Sequence, residues 1–156
     1  MLGIQGNGSL VTWGKNTVGQ ASIPSALRTK LFIEVGSSVE TSFAIDGESN
    51  LYAWGGNVYG ERNIPLSAQT NVKAVQGGSR HVLALKTDGT VVAWGRNQYN
   101  QASVPAGLSD VIAVAAGDEF SLALTSAGQV VAWGRNQYGQ ARVPVGLRDV
   151  IAIAAG

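Results

Sequence analysis

The chain has 156 residues with 11 Lys and Arg against 10 Asp and Glu, a net charge of +1, 21 glycines and no cysteine. That composition excludes disulfides and thiolate sites, and no basic stripe is dense enough for phosphate-backbone binding, so nucleic acid is not expected as a partner. No apolar run approaches the ~20 residues of a membrane span, and Met1-Leu2-Gly3-Ile4 lacks the regions of a signal peptide, so the chain is expected to stay off membranes in a compartment left unspecified.

Residues 1–31 open inside a strand pattern, turn at Asn7-Gly8, and run through Leu10-Val11-Thr12 to Trp13, Gly14, Asn16 and Pro24. Residues 32–71 repeat the pattern with Trp54, Gly55, Asn57 and Pro65. Their turn is displaced: Asp46-Gly47 comes early, and Ser49 stands where the other repeats have Gly. Residues 72–110 carry the turn Asp88-Gly89, then Trp94, Gly95, Asn97 and Pro105. Residues 111–149 are the cleanest copy, with an apolar run from Val111 to Ala116 and an alternating run from Ser121 to Thr125. Val130 to Trp133, Gly134, Asn136 and a short Ala141-Arg142-Val143 run stopping at Pro144 complete it. Residues 150–156 begin another unit.

The tryptophans fall 41, 40 and 39 residues apart, and the pattern uses every Trp and Pro of the chain. A fixed period near forty marks a repeat protein whose units stack on their neighbours. Each unit consists of short runs rich in Val, Ile, Leu and Trp, punctuated by Gly and Asn, without helical periodicity. The predicted fold is all-β: a β-propeller of about four four-stranded blades, forming a single repeat domain over 1–156. Proline is expected to end an outer edge strand. Each Trp is expected to pack between blades, and the following Gly to mark a bend or a positive φ.

The ends complement one another in register. Met1 matches Val82 and Gly156 matches Gly78, so one blade is split between the two ends of the chain. Three arrangements follow: one chain closing as a four-bladed ring, two chains closing head to tail, or an excerpt from a longer propeller. The homodimer closing an eight-bladed ring is the one expected.

In a meander, the loops after the first and third strands of each blade share a face. That face collects Tyr59, Arg80, His81, Gln98, Tyr99, Asp118, Glu119, Phe120, Gln137 and Tyr138, a concentration of aromatic, amide and charged groups suited to binding. Catalysis is not indicated. His81, the lone histidine, has neither a nucleophile nor an orienting carboxylate near it in sequence. Asp118-Glu119 lacks the spacing of a calcium loop, and the glycines form no phosphate cradle. We therefore expect no enzyme activity, no metal and no cofactor, and a protein as partner. A propeller lectin is the second reading, since each Asn-Gln-Tyr loop offers an amide and a ring to a sugar. A ring-forming protein without a dedicated ligand is the third.

Trp94-Gly95-Arg96-Asn97-Gln98-Tyr99-Asn100-Gln101 through Val104-Pro105, with Gly78-x-x-His81 and Leu83-Ala84-Leu85, resembles the repeat of the regulator of chromosome condensation family. The short blades are similar to those of bacterial members such as the β-lactamase-inhibitor propeller. The resemblance implies a rigid disc that binds other proteins through loops on one face. The residues it points to are Thr41, His81 and Phe120 in the first loop, and Val18, Tyr59, Tyr99 and Tyr138 in the second.

Overall fold

A computed structural model describes residues 1–156. Each apolar run becomes a strand, and consecutive strands pair as antiparallel meanders. β1 (Leu2–Ile4) pairs with β2 (Leu10–Thr12), and β3 (Phe32–Ser37), β4 (Thr41–Asp46) and β5 (Leu51–Gly55) form the second sheet. β6 (Val72–Gly77), β7 (His81–Lys86) and β8 (Val91–Gly95) form the third, and β9 (Val111–Ala116), β10 (Phe120–Thr125) and β11 (Val130–Gly134) the fourth. The sheets follow one another in space, β1 against β3, β3 against β6, and β6 and β7 against β9. This is the blade order of an all-β propeller.

The core lies between blades. Phe43 and Ile45 of β4 meet Val72, Val75, Val82 and Trp94 of the next blade. Leu83 and Leu85 of β7 meet Val111, Val114 and Trp133 in the same way. Middle strands are covered on both faces, which is why they read as apolar runs rather than as an alternation.

A polar latch accompanies each of these contacts. Trp54 Nε1–H donates to the Gln20 carbonyl at 3.1 Å, Trp94 to that of Glu61 at 2.8 Å, and Trp133 to that of Gln101 at 2.9 Å. Each bond joins one blade to the loop of the blade before it. Trp13 makes no such bond and is 52 % exposed, against 4–8 % for the other three.

The glycine after each Trp adopts a left-handed φ, 89° at Gly14, 101° at Gly55, 96° at Gly95 and 103° at Gly134. A Cβ at Gly95 would stand 2.7 Å from the Arg80 carbonyl oxygen, so both the dihedral and the close approach require glycine. Ser49 meets the same demand in its turn at φ 65°. Asp46 holds that turn by accepting from the backbone N–H groups of Glu48 and Asn50 at 3.0 and 2.9 Å.

The blades have three strands, not four. The segments ending at Pro24, Pro65, Pro105 and Pro144 form no strand. Their donors are used locally: Ser22, Asn63, Ser103 and Arg142 donate to the carbonyls of Gly19, Gly60, Asn100 and Gly139. Asn side chains capture the preceding N–H groups, leaving little to pair with a sheet edge. The first sheet has two strands. No backbone hydrogen bond joins 150–156 to 1–13, so the chain does not close on itself as a four-bladed ring; Val150 N–H instead donates to Gly128. No helix is long and apolar enough to cross a membrane.

Candidate functional site on the loop face

The loops after the third strands owe their shape to two side chains each. Asn97 Oδ1 accepts from the Ala102 N–H at 2.8 Å while its amide donates to Ser103 Oγ at 2.9 Å. Four residues on, Gln101 Oε1 accepts from the Tyr99 N–H at 2.8 Å. Glu61 and Gln140 do the same for Tyr59 and Tyr138. The loops are stapled from within, and the tyrosines are what they present.

Those tyrosines do not stand alone. Arg80 and Arg96 lie over the Tyr59 ring with guanidinium carbons 4.9 and 5.4 Å from its centroid. Arg96 also reaches Tyr99 at 6.0 Å, where Arg135 lies at 5.1 Å, and Arg135 continues to Tyr138 at 5.7 Å. Guanidiniums and rings therefore alternate across three blades, each contact within the range of a cation–π attraction. Glu119 braces the ladder from below: Oε1 accepts from Arg96 at 2.9 Å and Oε2 from Arg135 at 2.5 Å. The hydrogen bond to Glu119 raises Arg135 above its ordinary value. Gln98 and Gln137 accept from the outer nitrogens of Arg96 and Arg135 at 2.5 and 2.8 Å.

The residues singled out in the sequence thus fall into two groups. Tyr59, Arg80, Gln98, Asp118, Gln137 and Tyr138 are exposed, with Tyr138 at 80 %, and Tyr99 is half-buried within the ladder. Glu119 is buried and spent on the two arginines. Phe120 is half-buried, its ring held over Gly117, where a Cβ would collide with it. His81 is fully buried and cannot touch a partner from the loop face. Its Nε2 lies 2.9 Å from Ser121 Oγ, and Ser121 donates onward to the Gln101 carbonyl at 2.8 Å. The Ser121 proton being committed, Nε2 carries the hydrogen and Nδ1 keeps its lone pair, without a partner. Burial, only partly opposed by Asp118, lowers this imidazole to about 4, so it is neutral at pH 7.

Sequence reasoning missed Arg96 and Arg135 as members of the site. Their signal was present as the residue two after Trp in the third and fourth repeats. The opposite face carries a second polar cluster. There Asp46 accepts from Tyr52 at 2.9 Å with Lys30 nearby at 3.8 Å. Burial pushes the Asp46 carboxyl up, but its hydrogen bonds from Asn50, Tyr52 and Glu48 more than offset this and hold it below the usual carboxylate range. Both Asp46 oxygens are engaged there, Oδ1 by the Ser49 turn and Oδ2 by Tyr52 and Lys30.

Residues 72–101 and 111–140 match the regulator of chromosome condensation (RCC1) repeat. Protein pim1 of Schizosaccharomyces pombe is 51 % identical over 35 residues, which are 22 % of this chain and 6 % of that protein. Among solved structures, Prp20p of Saccharomyces cerevisiae, described with its binding to Gsp1p and histones, superposes with a TM-score of 0.72 at 19 % identity. The alignment covers 92 % of this chain and 43 % of Prp20p. The ectodomain of the receptor kinase CR4 from Physcomitrella patens gives a TM-score of 0.72 at 23 % identity, over 97 % of this chain and 42 % of that one. The chain spans less than half of each solved relative, and at these identities the likeness is one of fold.

Proposed function

The chain is a β-propeller carrying regulator of chromosome condensation repeats, and from that premise we propose that it is a non-enzymatic protein-binding module gripping its partner through the loop face. The observation that carries this reading is the Arg–Tyr ladder. Its rings and guanidiniums come from three blades, are pre-ordered by staples and Glu119, and end in exposed Tyr138. Tyr and Arg are the residues most often found to dominate protein interfaces, and pre-ordering lowers the entropy lost on binding. Prp20p, on the same fold, binds Gsp1p and histones, which supports a protein partner here. Less supports the lectin reading: the Asn97 amide is used inside its own loop and the Tyr99 ring lies between Arg96 and Arg135. His81 is fully buried and does not reach the loop face.

The test is a photo-crosslinking amino acid placed at Tyr138 and, separately, at Leu66, an exposed residue beyond the strand ends on the opposite face. The same protein trapped repeatedly from 138 and not from 66 is the expected result. Trapping from 66 alone would refute the loop-face assignment.

The latch supports a finer reading, in which two copies close head to tail as an eight-bladed ring. Trp13 has an unused indole N–H and an exposed ring, while the Gln140 carbonyl, the counterpart of Gln20, Glu61 and Gln101, receives no tryptophan. Each half-latch has the partner the other lacks, and two such joints would close a ring. Native mass spectrometry should show a dimer that Trp13→Glu converts to a monomer. A monomer at micromolar concentration for the unmodified chain would overturn the ring.

A further inference from the structure

Comparing equivalent positions in successive blades exposes a departure in charge. The residue before β4, β7 and β10 is Glu40, Arg80 and Glu119. The residue two after each Trp is Lys15, Gly56, Arg96 and Arg135. Glu40 sits 3.9 Å from Lys15, and Glu119 bridges Arg96 and Arg135 on either approach to the Tyr99 ring. In the blade between them the acid is replaced by Arg80. Two guanidiniums then share Tyr59, at 4.9 and 5.4 Å, much as Arg96 and Arg135 share Tyr99 at 6.0 and 5.1 Å.

Around Tyr99 the chain supplies the bridging carboxylate, and around Tyr59 it does not. Arg80 is exposed and makes no ion pair. Arg96 has one side engaged by Glu119 and faces Tyr59 with the other. Of the acids beside Arg80, Glu61 gives Oε2 to the Tyr59 N–H at 2.8 Å and makes no ion pair with Arg80, and Glu40 turns to Lys15. Guanidiniums stacked on a ring bind planar oxyanions well, because the stacking fixes the fork without using its N–H donors.

We propose that Arg80 and Arg96, flanking Tyr59, form a carboxylate-binding subsite that takes an Asp, Glu or C-terminal carboxylate from an acidic segment of the protein partner, in the manner in which Glu119 is held one blade on. The proposal rests on the protein-binding reading of the loop face and adds the charge of what is bound. Nucleic acid is the less favoured polyanion. The site offers two ring-stacked guanidiniums rather than a basic track, and the ligand already seen between such a pair is a carboxylate.

The experiment follows the arginine Nε–H signals of the full chain by NMR during titration with the peptide acetyl-Glu-Asp-Gly-Glu-Asp-amide, with its Gln/Asn counterpart as control. The expected result is saturable movement of the Arg80 and Arg96 signals by the acidic peptide alone, weakened about fivefold or more by Arg80→Gln. Arg62→Gln, at another exposed arginine without an ion pair, should leave binding unchanged. Arg80→Glu rebuilds the Glu119 arrangement; it should shift the Arg96 signal without peptide and abolish binding while the amide spectrum stays folded. Equal binding of both peptides, no loss in Arg80→Gln, or equal loss in Arg62→Gln would overturn the subsite. So would tighter, Arg80-dependent binding of a 12-nucleotide single strand at the same salt. Crosslinking from Tyr138 that persists when peptide binding fails sinks the subsite alone, whereas peptide binding without any trapped protein counts against the docking reading.

Discussion

Replacing Trp94 by Phe tests whether the indole–carbonyl latch holds the blades together, and the structure ranks the tryptophans before any measurement. The Glu61 carbonyl receives Trp94 Nε1–H alone, at 2.8 Å in a buried site. Removing that donor leaves a buried carbonyl unsatisfied, which costs ~1–3 kcal/mol. Some edge-to-face contact with Phe43, now at 6.5 Å and 84°, is lost as well. The sum is about 3 kcal/mol, a large part of the ~5–15 kcal/mol typical of a folded domain. Trp133→Phe should cost about 1–2 kcal/mol, because the Gln101 carbonyl keeps the Ser121 hydroxyl at 2.8 Å. Trp13→Phe, with no bond to lose and half its ring exposed, should stay below about 1 kcal/mol in the dissociated chain. Urea unfolding followed by far-ultraviolet circular dichroism, at concentrations where the chain is monomeric, reads all three. Equal costs, or an order that follows ring burial alone, would refute the latch as a source of stability.

His81 gives a pH prediction. Its unfolded imidazole titrates near 6.5 and the folded one near 4. Between those values the unfolded chain takes up a proton that the folded chain refuses. Stability is therefore full above pH 6.5 and falls as pH drops towards 4, by about 3 kcal/mol from this group. Against a His81→Phe variant, which borrows the side chain found at Phe120, that part of the acid limb should vanish; parallel pH profiles would contradict it. Gly95→Ala combines a left-handed φ with a Cβ 2.7 Å from the Arg80 carbonyl, so it should cost more than 2 kcal/mol in thermal or urea unfolding. Gly107→Ala, left-handed at φ 78° but in open space, should cost about 1 kcal/mol. Equal losses would show that the dihedral alone, and not the approach of the neighbouring strand, sets the requirement for glycine.

The all-β propeller was legible because stacking imposes the same demands on every unit. Trp, the Gly after it and the closing Pro recur at one period, and middle strands covered on both faces read as apolar runs. The fourth strand was misread for a local reason. Ala141-Arg142-Val143 has strand-like composition, but whether it pairs depends on where its N–H groups go, and Asn136 and Gly139 take them. That competition is invisible to a count of β-prone residues. The loop face could be named from the meander alone, which alternates strand direction. Its chemistry could not, since the rungs Arg80–Tyr59, Arg96–Tyr59 and Arg135–Tyr99 join residues from different loops, and Arg96 acquires meaning only at 5.4 Å from Tyr59.

Repeat architecture also suggests where specificity should be sought. A residue that obeys the period is accounted for by the stacking of blade on blade: Asn97 and Gln101 do the same work as their counterparts, and Trp94 the same as Trp54 and Trp133. A residue that breaks the period at no gain to stacking needs another account. Ser49 breaks it and is explained within its own blade, because the Asp46 carboxylate holds the turn that glycine would otherwise make. Arg80 breaks it by reversing a charge, forgoes the ion pair its counterparts make, and brings a second cation to a ring that already has one. Like charges in proximity on an exposed face repel slightly, and an anion placed between them relieves the repulsion. On the proposed reading, a carboxylate from the partner supplies the ion pair that Arg80 lacks within the chain.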